Sequence, residues 1–152
     1  MRFFKIAQKW SGTVFHGGAD APLLDSPSES ATGNPTAVWG TFFTPDEKEA
    51  LRYVHDFHGG KGRVHHKYVE LENPYYMTFA EYETFVRLDL SKPTEPQMDQ
   101  NHQKARKFKE KLVEKGFDGI VIGRPGVLRP MEIVAFSPVS IHENPSNPDI
   151  RY

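Results

Sequence analysis

Hydrophobic positions along the chain follow two periods. Short runs rich in Val, Ile, Phe and Tyr, bordered by glycine or proline, predict strands at Arg2 to Ala7, Thr13 to Phe15, Gly40 to Phe43, Val64 to Leu71, Gly119 to Ile122, Glu132 to Phe136 and Val139 to His142. Elsewhere the apolar residues recur at helical spacing. Thr44, Pro45 and Glu47 supply an N-cap, a first-turn proline and a capping-box acid, and Ala50, Leu51, Val54 and Phe57 then fall on one helix face. Thr78 with Glu81 repeats the capping box ahead of Tyr82, Phe85 and Val86. A third helix, about Gln100 to Lys115, carries Ala105, Phe108 and Leu112 on one side and lysines elsewhere, with Gly116 as C-cap. Strands and helices do not alternate one for one, so the pattern predicts an α+β domain with mixed or antiparallel sheets rather than a doubly wound parallel sheet.

Two stretches interrupt these periods. Ala21 to Pro35, APLLDSPSESATGNP, predicts a mobile surface loop, and Ser91 to Pro96, SKPTEP, a shorter linker. Neither leaves halves large enough to fold separately, so a single domain over residues 1–152 is expected. With 19 basic and 20 acidic residues the formal charge is −1, which gives no general attraction to nucleic acid or membrane. The chain has no cysteine, which excludes disulfides, thiolate nucleophiles and cysteine-ligated zinc. Its N-terminus, MRFFKIAQKW, is too short and charged for a signal peptide, and no apolar run reaches membrane-spanning length. The expectation is a soluble cytoplasmic protein without a membrane partner.

Candidate chemistry gathers at strand ends. His16-Gly17-Gly18 reads as following the second strand, where bare peptide groups can approach a small polar ligand; a hairpin corner is the plainer alternative. Gly40-Thr41-Phe42-Phe43-Thr44 precedes the first helix, which carries Tyr53, and Glu132 opens a late strand. Aromatics at such spacing also make ordinary core, and Glu132 could pair with Arg129. His55, His58, His65 and His66 raise a metal site, but the first two lie near a helix end. The second two are adjacent in a strand and must diverge, so solvated histidines around a Gly-Gly-Lys-Gly hairpin are favoured and no metal is assigned. Lys104, Arg106, Lys107, Lys109, Lys111 and Lys115 could meet nucleic-acid phosphates; interleaved with Glu110 and Glu114, they read first as a solvated helix face.

The segments VFHGG, WGTFFTPDEKEALRYV and MEIVAFSP, in that order, resemble the three motifs of the ADP-ribosyltransferases, in particular the His-Tyr-Glu branch that includes diphtheria-like toxins and poly(ADP-ribose) polymerases. Gly40, Phe42 and Tyr53 fit the middle motif without a gap. A closer resemblance spans nearly the whole chain: FFTPDEKEALRYV, VELENP, KGFDGIVI and FSPVSIHENPSNPDIRY are similar to the ADP-ribosyltransferase domains of phage and mobile-element polyvalent proteins, where such a tail commonly closes the module. The resemblance implies a split core of two small sheets with NAD, as substrate, in the cleft between them. It implies that Glu132 is catalytic and bonds a ribose hydroxyl, that His16 bonds the other ribose, and that the Gly17 N–H and C=O clamp the carboxamide. Gly40, Phe42, Phe43, Thr44 and Tyr53 would line the nicotinamide pocket, and the Ala21 to Pro35 loop would fold over the dinucleotide. The chemistry is consistent with this, because breaking the nicotinamide–ribose bond builds positive charge on the sugar that a fixed carboxylate stabilises. The acceptor would be a macromolecule in a bacterial host cytoplasm, a protein first and nucleic acid as the alternative.

The chain departs from the motifs at three positions. Phe42 stands where the polymerases carry tyrosine, Ala50 where they often use serine, and Pro130 where arginine-directed transferases carry an acid. A fold kept for binding without catalysis is therefore the competing expectation.

Overall fold

The computed structural model describes residues 8–18, 35–58, 62–86, 95–124, 126–127, 129–144 and 150–151. The expected strand Arg2 to Ala7, the Ala21 to Pro35 loop except its last residue, and the Gly-Gly-Lys part of the expected hairpin lie outside them. In chain order the elements are β1 (Trp10–Gly18), a 3-10 turn (Pro35–Trp39), β2 (Thr41–Phe43), α1 (Glu47–His58), β3 (Arg63–Leu71), β4 (Pro74–Thr78) and α2 (Phe79–Val86). They continue with α3 (Glu95–Glu114), β5 (Gly119–Gly123), β6 (Glu132–Ala135), a second 3-10 turn (Pro138–Ser140), β7 (Ile141–Glu143) and β8 (Ile150–Arg151).

These strands form two small sheets. In the first, β3 lies antiparallel to β1 along its whole length, from Trp10 opposite Leu71 to Gly18 opposite Arg63. The other edge of β3 takes β7 at Lys67 to Val69 and β8 at Arg63 to Val64. The second sheet has the order β2-β6-β5-β4, with β4 parallel to β5 and the other pairs antiparallel. Among the described residues the sheets are joined through the backbone at one pair: Phe15 N–H donates to Thr44 C=O at 2.8 Å and Thr44 N–H returns the bond to Phe15 C=O at 2.9 Å. Among the described residues no further backbone pairing joins β1 and β2. The expected α+β split core is the observed architecture.

Side-chain alternation along the strands sorts the core into layers. Val14, Val69 and Leu71 of the first sheet pack against Phe43, Val121, Ile133 and Ala135 of the second. The outer face of the second sheet, with Ile120, Ile122, Val134 and Met77, is covered by Tyr82 and Phe85 of α2, Ala105 and Leu112 of α3, and Trp39. On the outer face of the first sheet, Ala50 and Val54 of α1 pack on Val64, with Phe15 and Leu51 at the margin.

Several boundaries differ from the sequence expectation for identifiable reasons. Thr44 does not cap α1, because its backbone is committed to Phe15; Asp46 takes that role, its Oδ1 accepting from Lys48 N–H at 3.0 Å, while Thr44 Oγ1 accepts from Asp46 N–H at 3.1 Å. Helix α3 starts at Glu95, inside the expected linker, since Pro96 is tolerated in a first helical turn. The expected strand from Val139 is first a 3-10 turn, capped by Ser137 and opened by Pro138, and Val139 is 82% exposed. By contrast Thr78 Oγ1 accepts from Glu81 N–H, as the capping box requires, and Gly116 ends α3 at φ +89° with Phe117 N–H bonded back to Leu112. No described helix is long and apolar enough to cross a membrane.

Candidate functional site

The histidine-glycine stretch is not a turn. Strand β1 runs through Gly18, with Gly17 opposite Val64, so His16 sits inside a paired strand. The glycine at 17 serves packing instead: a Cβ there would lie 2.1 Å from the Ala50 carbonyl oxygen and 3.3 Å from Tyr53 Cβ. Helix α1 therefore rests directly on the β1 backbone, and that approach delivers Tyr53 to the strand that carries His16.

Strand geometry also orients the Gly17 peptide groups. Phe15 turns its N–H and C=O toward Thr44, and residues two apart in a strand present these groups to the same edge. The N–H and C=O of Gly17 thus face the edge of β1 that meets β2 at Phe15, two residues past the bridge on the side toward Phe42, because the pairing of Phe15 with Thr44 is antiparallel.

His16 fastens the same junction from its side chain. Its Nδ1 lies 2.6 Å from the Phe42 carbonyl oxygen. A carbonyl can only accept, so Nδ1 carries the proton and Nε2 of the neutral ring has acceptor character. The ring also meets Phe43 edge-on at 5.9 Å and lies 5.9 Å from the ring of His65 across the strand pair.

On β2 the expected pocket residues divide. Gly40 has φ +151°, and a Cβ there would lie 2.1 Å from the Ala135 carbonyl oxygen, so β2 enters its sheet through a position only glycine fills comfortably. Phe42 is half-buried, its ring nearly parallel to Trp39 at 6.4 Å and 12°. Phe43, 2% exposed, belongs to the core between the sheets and reaches the site through its ring contact with His16. Thr44 contributes its backbone to the bridge and its hydroxyl to the turn before α1.

Glu132 opens β6 opposite Ile122, one residue before the Ile133 that faces Phe43. Burial pushes its pKa up from 4.5 to about 7. The hydroxyl of Tyr53 is also shifted upward, by burial first and then by the negative charge of Glu132, which puts the two groups within electrostatic reach of each other. Arg129, the sequence candidate for a Glu132 ion pair, donates to the Pro45 carbonyl. The structure thus links His16 to Phe42, Gly17 to Tyr53 and Tyr53 to Glu132, close to the bridge that Thr44 makes with Phe15. Trp39, inside the WGTFF motif but given no role from sequence, stands directly behind Phe42.

The other candidates take different places. His65 lies beside His16, whereas His66 turns to the opposite face against Phe15 at 5.0 Å, with its Nε2 3.6 Å from Glu47. No three His, Asp or Glu side chains converge as metal ligands among the described residues. Of the α3 cations, Lys104 caps the Thr84 carbonyl over the Phe85 ring, and Lys109 donates to Val38 over Phe136, its pKa lowered by burial.

Two small sheets joined through the Phe15–Thr44 bridge, with a strand histidine, a helix tyrosine and a partly buried glutamate near it, define an α+β fold of the ADP-ribosyltransferase type. Residues 12–147 match the family described as ADP-ribosyltransferase in polyvalent proteins, and the chain belongs to that family. No curated protein and no solved structure gave a significant match.

Proposed function

We propose that this chain transfers ADP-ribose from NAD to a macromolecular acceptor, releasing nicotinamide, as a mono-ADP-ribosyltransferase. The observation that carries this reading is the partly buried Glu132 carboxyl within electrostatic reach of Tyr53, on the helix that packs against the strand of His16. In this mechanism the pyridinium ring lies between Phe42 and Tyr53, and the carboxamide bonds the Gly17 N–H and C=O. His16 Nε2 accepts from a ribose hydroxyl because its other nitrogen is already committed to Phe42. The Glu132 carboxylate faces the nicotinamide ribose and offsets the positive charge that develops as the bond breaks. Water replaces the acceptor slowly when none is present.

Ala50 supports the competing reading of a binding module without catalysis. It is buried beneath Gly17, where a family serine would offer a hydroxyl. Phe42 likewise keeps the ring and lacks the hydroxyl. Phe42→Ala and Tyr53→Ala should each weaken NAD binding by roughly 2- to 10-fold in calorimetry, the range for one aromatic contact. Unchanged affinity in both variants would remove the stacking role. The acceptor is proposed to be a protein of a bacterial host cytoplasm. Labelled NAD incubated with lysate tests this: label in protein bands supports it, and label in the nucleic-acid fraction would replace it.

A further inference from the structure

The aromatic wall of the proposed nicotinamide site is not set by Phe42 alone. Trp39 is 0% exposed and lies almost parallel to Phe42, on the side of the second sheet covered by α2 and α3. Its position is fixed from several directions. The indole N–H donates to the Ala105 carbonyl of α3 at 2.8 Å, and the ring meets Phe85 at 5.0 Å, Phe108 at 5.6 Å and Tyr82 at 6.1 Å. Tyr82 in turn lies 6.4 Å from Phe42. An indole anchored by a directional hydrogen bond holds one plane, and a ring stacked on it is restrained to the same plane.

We propose that Trp39 is a positioning residue for NAD: tied to α3 through Ala105, it sets the plane of Phe42 and so the face offered to the pyridinium ring. The inference rests on the NAD reading above. It also gives a physical sense to the phenylalanine at position 42: a ring without a hydroxyl makes no directional bond of its own, and the stack behind it supplies the restraint.

The test compares Trp39→Phe with Leu112→Ala, a variant in the same hydrophobic layer that leaves the Trp39–Phe42 stack in place. Both are assayed for nicotinamide release well below their melting temperatures. Trp39→Phe loses the anchoring bond and shrinks the stack, so KM for NAD is expected to rise by roughly 3- to 10-fold, the range for an aromatic contact, with kcat within about twofold of wild type. Leu112→Ala is expected to lower Tm at least as much while leaving KM unchanged, which a purely structural role for Trp39 would not produce. An unchanged KM in Trp39→Phe, or an equal rise in Leu112→Ala, overturns the positioning role while the NAD reading stands. Absence of both NAD binding and nicotinamide release in wild type overturns the NAD reading and this inference with it.

Discussion

Replacing Glu132 by glutamine is expected to abolish nicotinamide release and at the same time to stabilise the fold above neutral pH. The two effects share one cause. A carboxyl pushed by burial from 4.5 to about 7 is held in a place that disfavours its charge, so the folded chain retains a proton that the unfolded chain has already lost. Below about pH 4.5 both states are protonated and the group costs nothing. As pH rises through that window the folded state binds more protons than the unfolded one, and stability falls by a total of about 3 kcal/mol once pH exceeds 7. Glutamine carries no such cost. Melting of wild type and Glu132→Gln should therefore agree to within the effect of the substitution at pH 4.5 and diverge at pH 8, with the variant the more stable. Parallel melting curves at both pH values would mean that the carboxyl is not shielded from water as described. In the proposed mechanism catalysis moves the other way: the ionised form would stabilise the ribose cation, and removing it should cost roughly 10²- to 10³-fold or more in kcat. The same ionisation gives kcat/KM an acid limb with a midpoint near 7 in the free enzyme, rising with pH and absent from any residual activity of the glutamine variant.

Gly17→Ala should weaken both fold and function, with function the more sensitive. The added methyl would stand 2.1 Å from a backbone oxygen of α1, a contact that no side-chain rotation relieves, so strand and helix must separate. The expected cost is about 1–3 kcal/mol of stability. Because α1 carries Tyr53 and the edge of β1 presents the Gly17 peptide groups, the same displacement opens the proposed pocket, and NAD affinity should fall by at least tenfold at a temperature where the variant is folded. Gly123→Ala is the matched control: nothing lies within 4 Å of its added methyl, and stability should stay within about 0.5 kcal/mol of wild type. Wild-type NAD affinity in Gly17→Ala would show that the contact between β1 and α1 does not shape the site.

These two residues also mark the limit of what the sequence revealed. The pattern located most elements, because a capping box such as Thr78 with Glu81 and a C-cap such as Gly116 are local devices whose partners lie close by in the chain. It misread Gly17 and Gly18 as a turn, since a glycine needed for close approach looks the same in sequence as one needed for chain reversal. It placed the α1 cap at Thr44 because the competing partner, Phe15, is distant along the chain. Strand β4 was missed: Pro74 opens it and its partner β5 follows long after, with α2 and α3 between them. At the candidate site, sequence named the residues that are proposed to act, and their environment was not legible. The raised pKa of Glu132 and the Trp39 stack behind Phe42 exist only once the sheets and helices pack.

The central claim is that this chain cleaves NAD with Glu132. Nicotinamide release from NAD, measured with purified wild type and Glu132→Gln in the presence and absence of bacterial lysate, tests it most directly. The expected result is release by wild type, faster with lysate, and none above background from the variant. No release from either protein, with no NAD binding in calorimetry, would contradict the claim and leave a fold retained for binding something else.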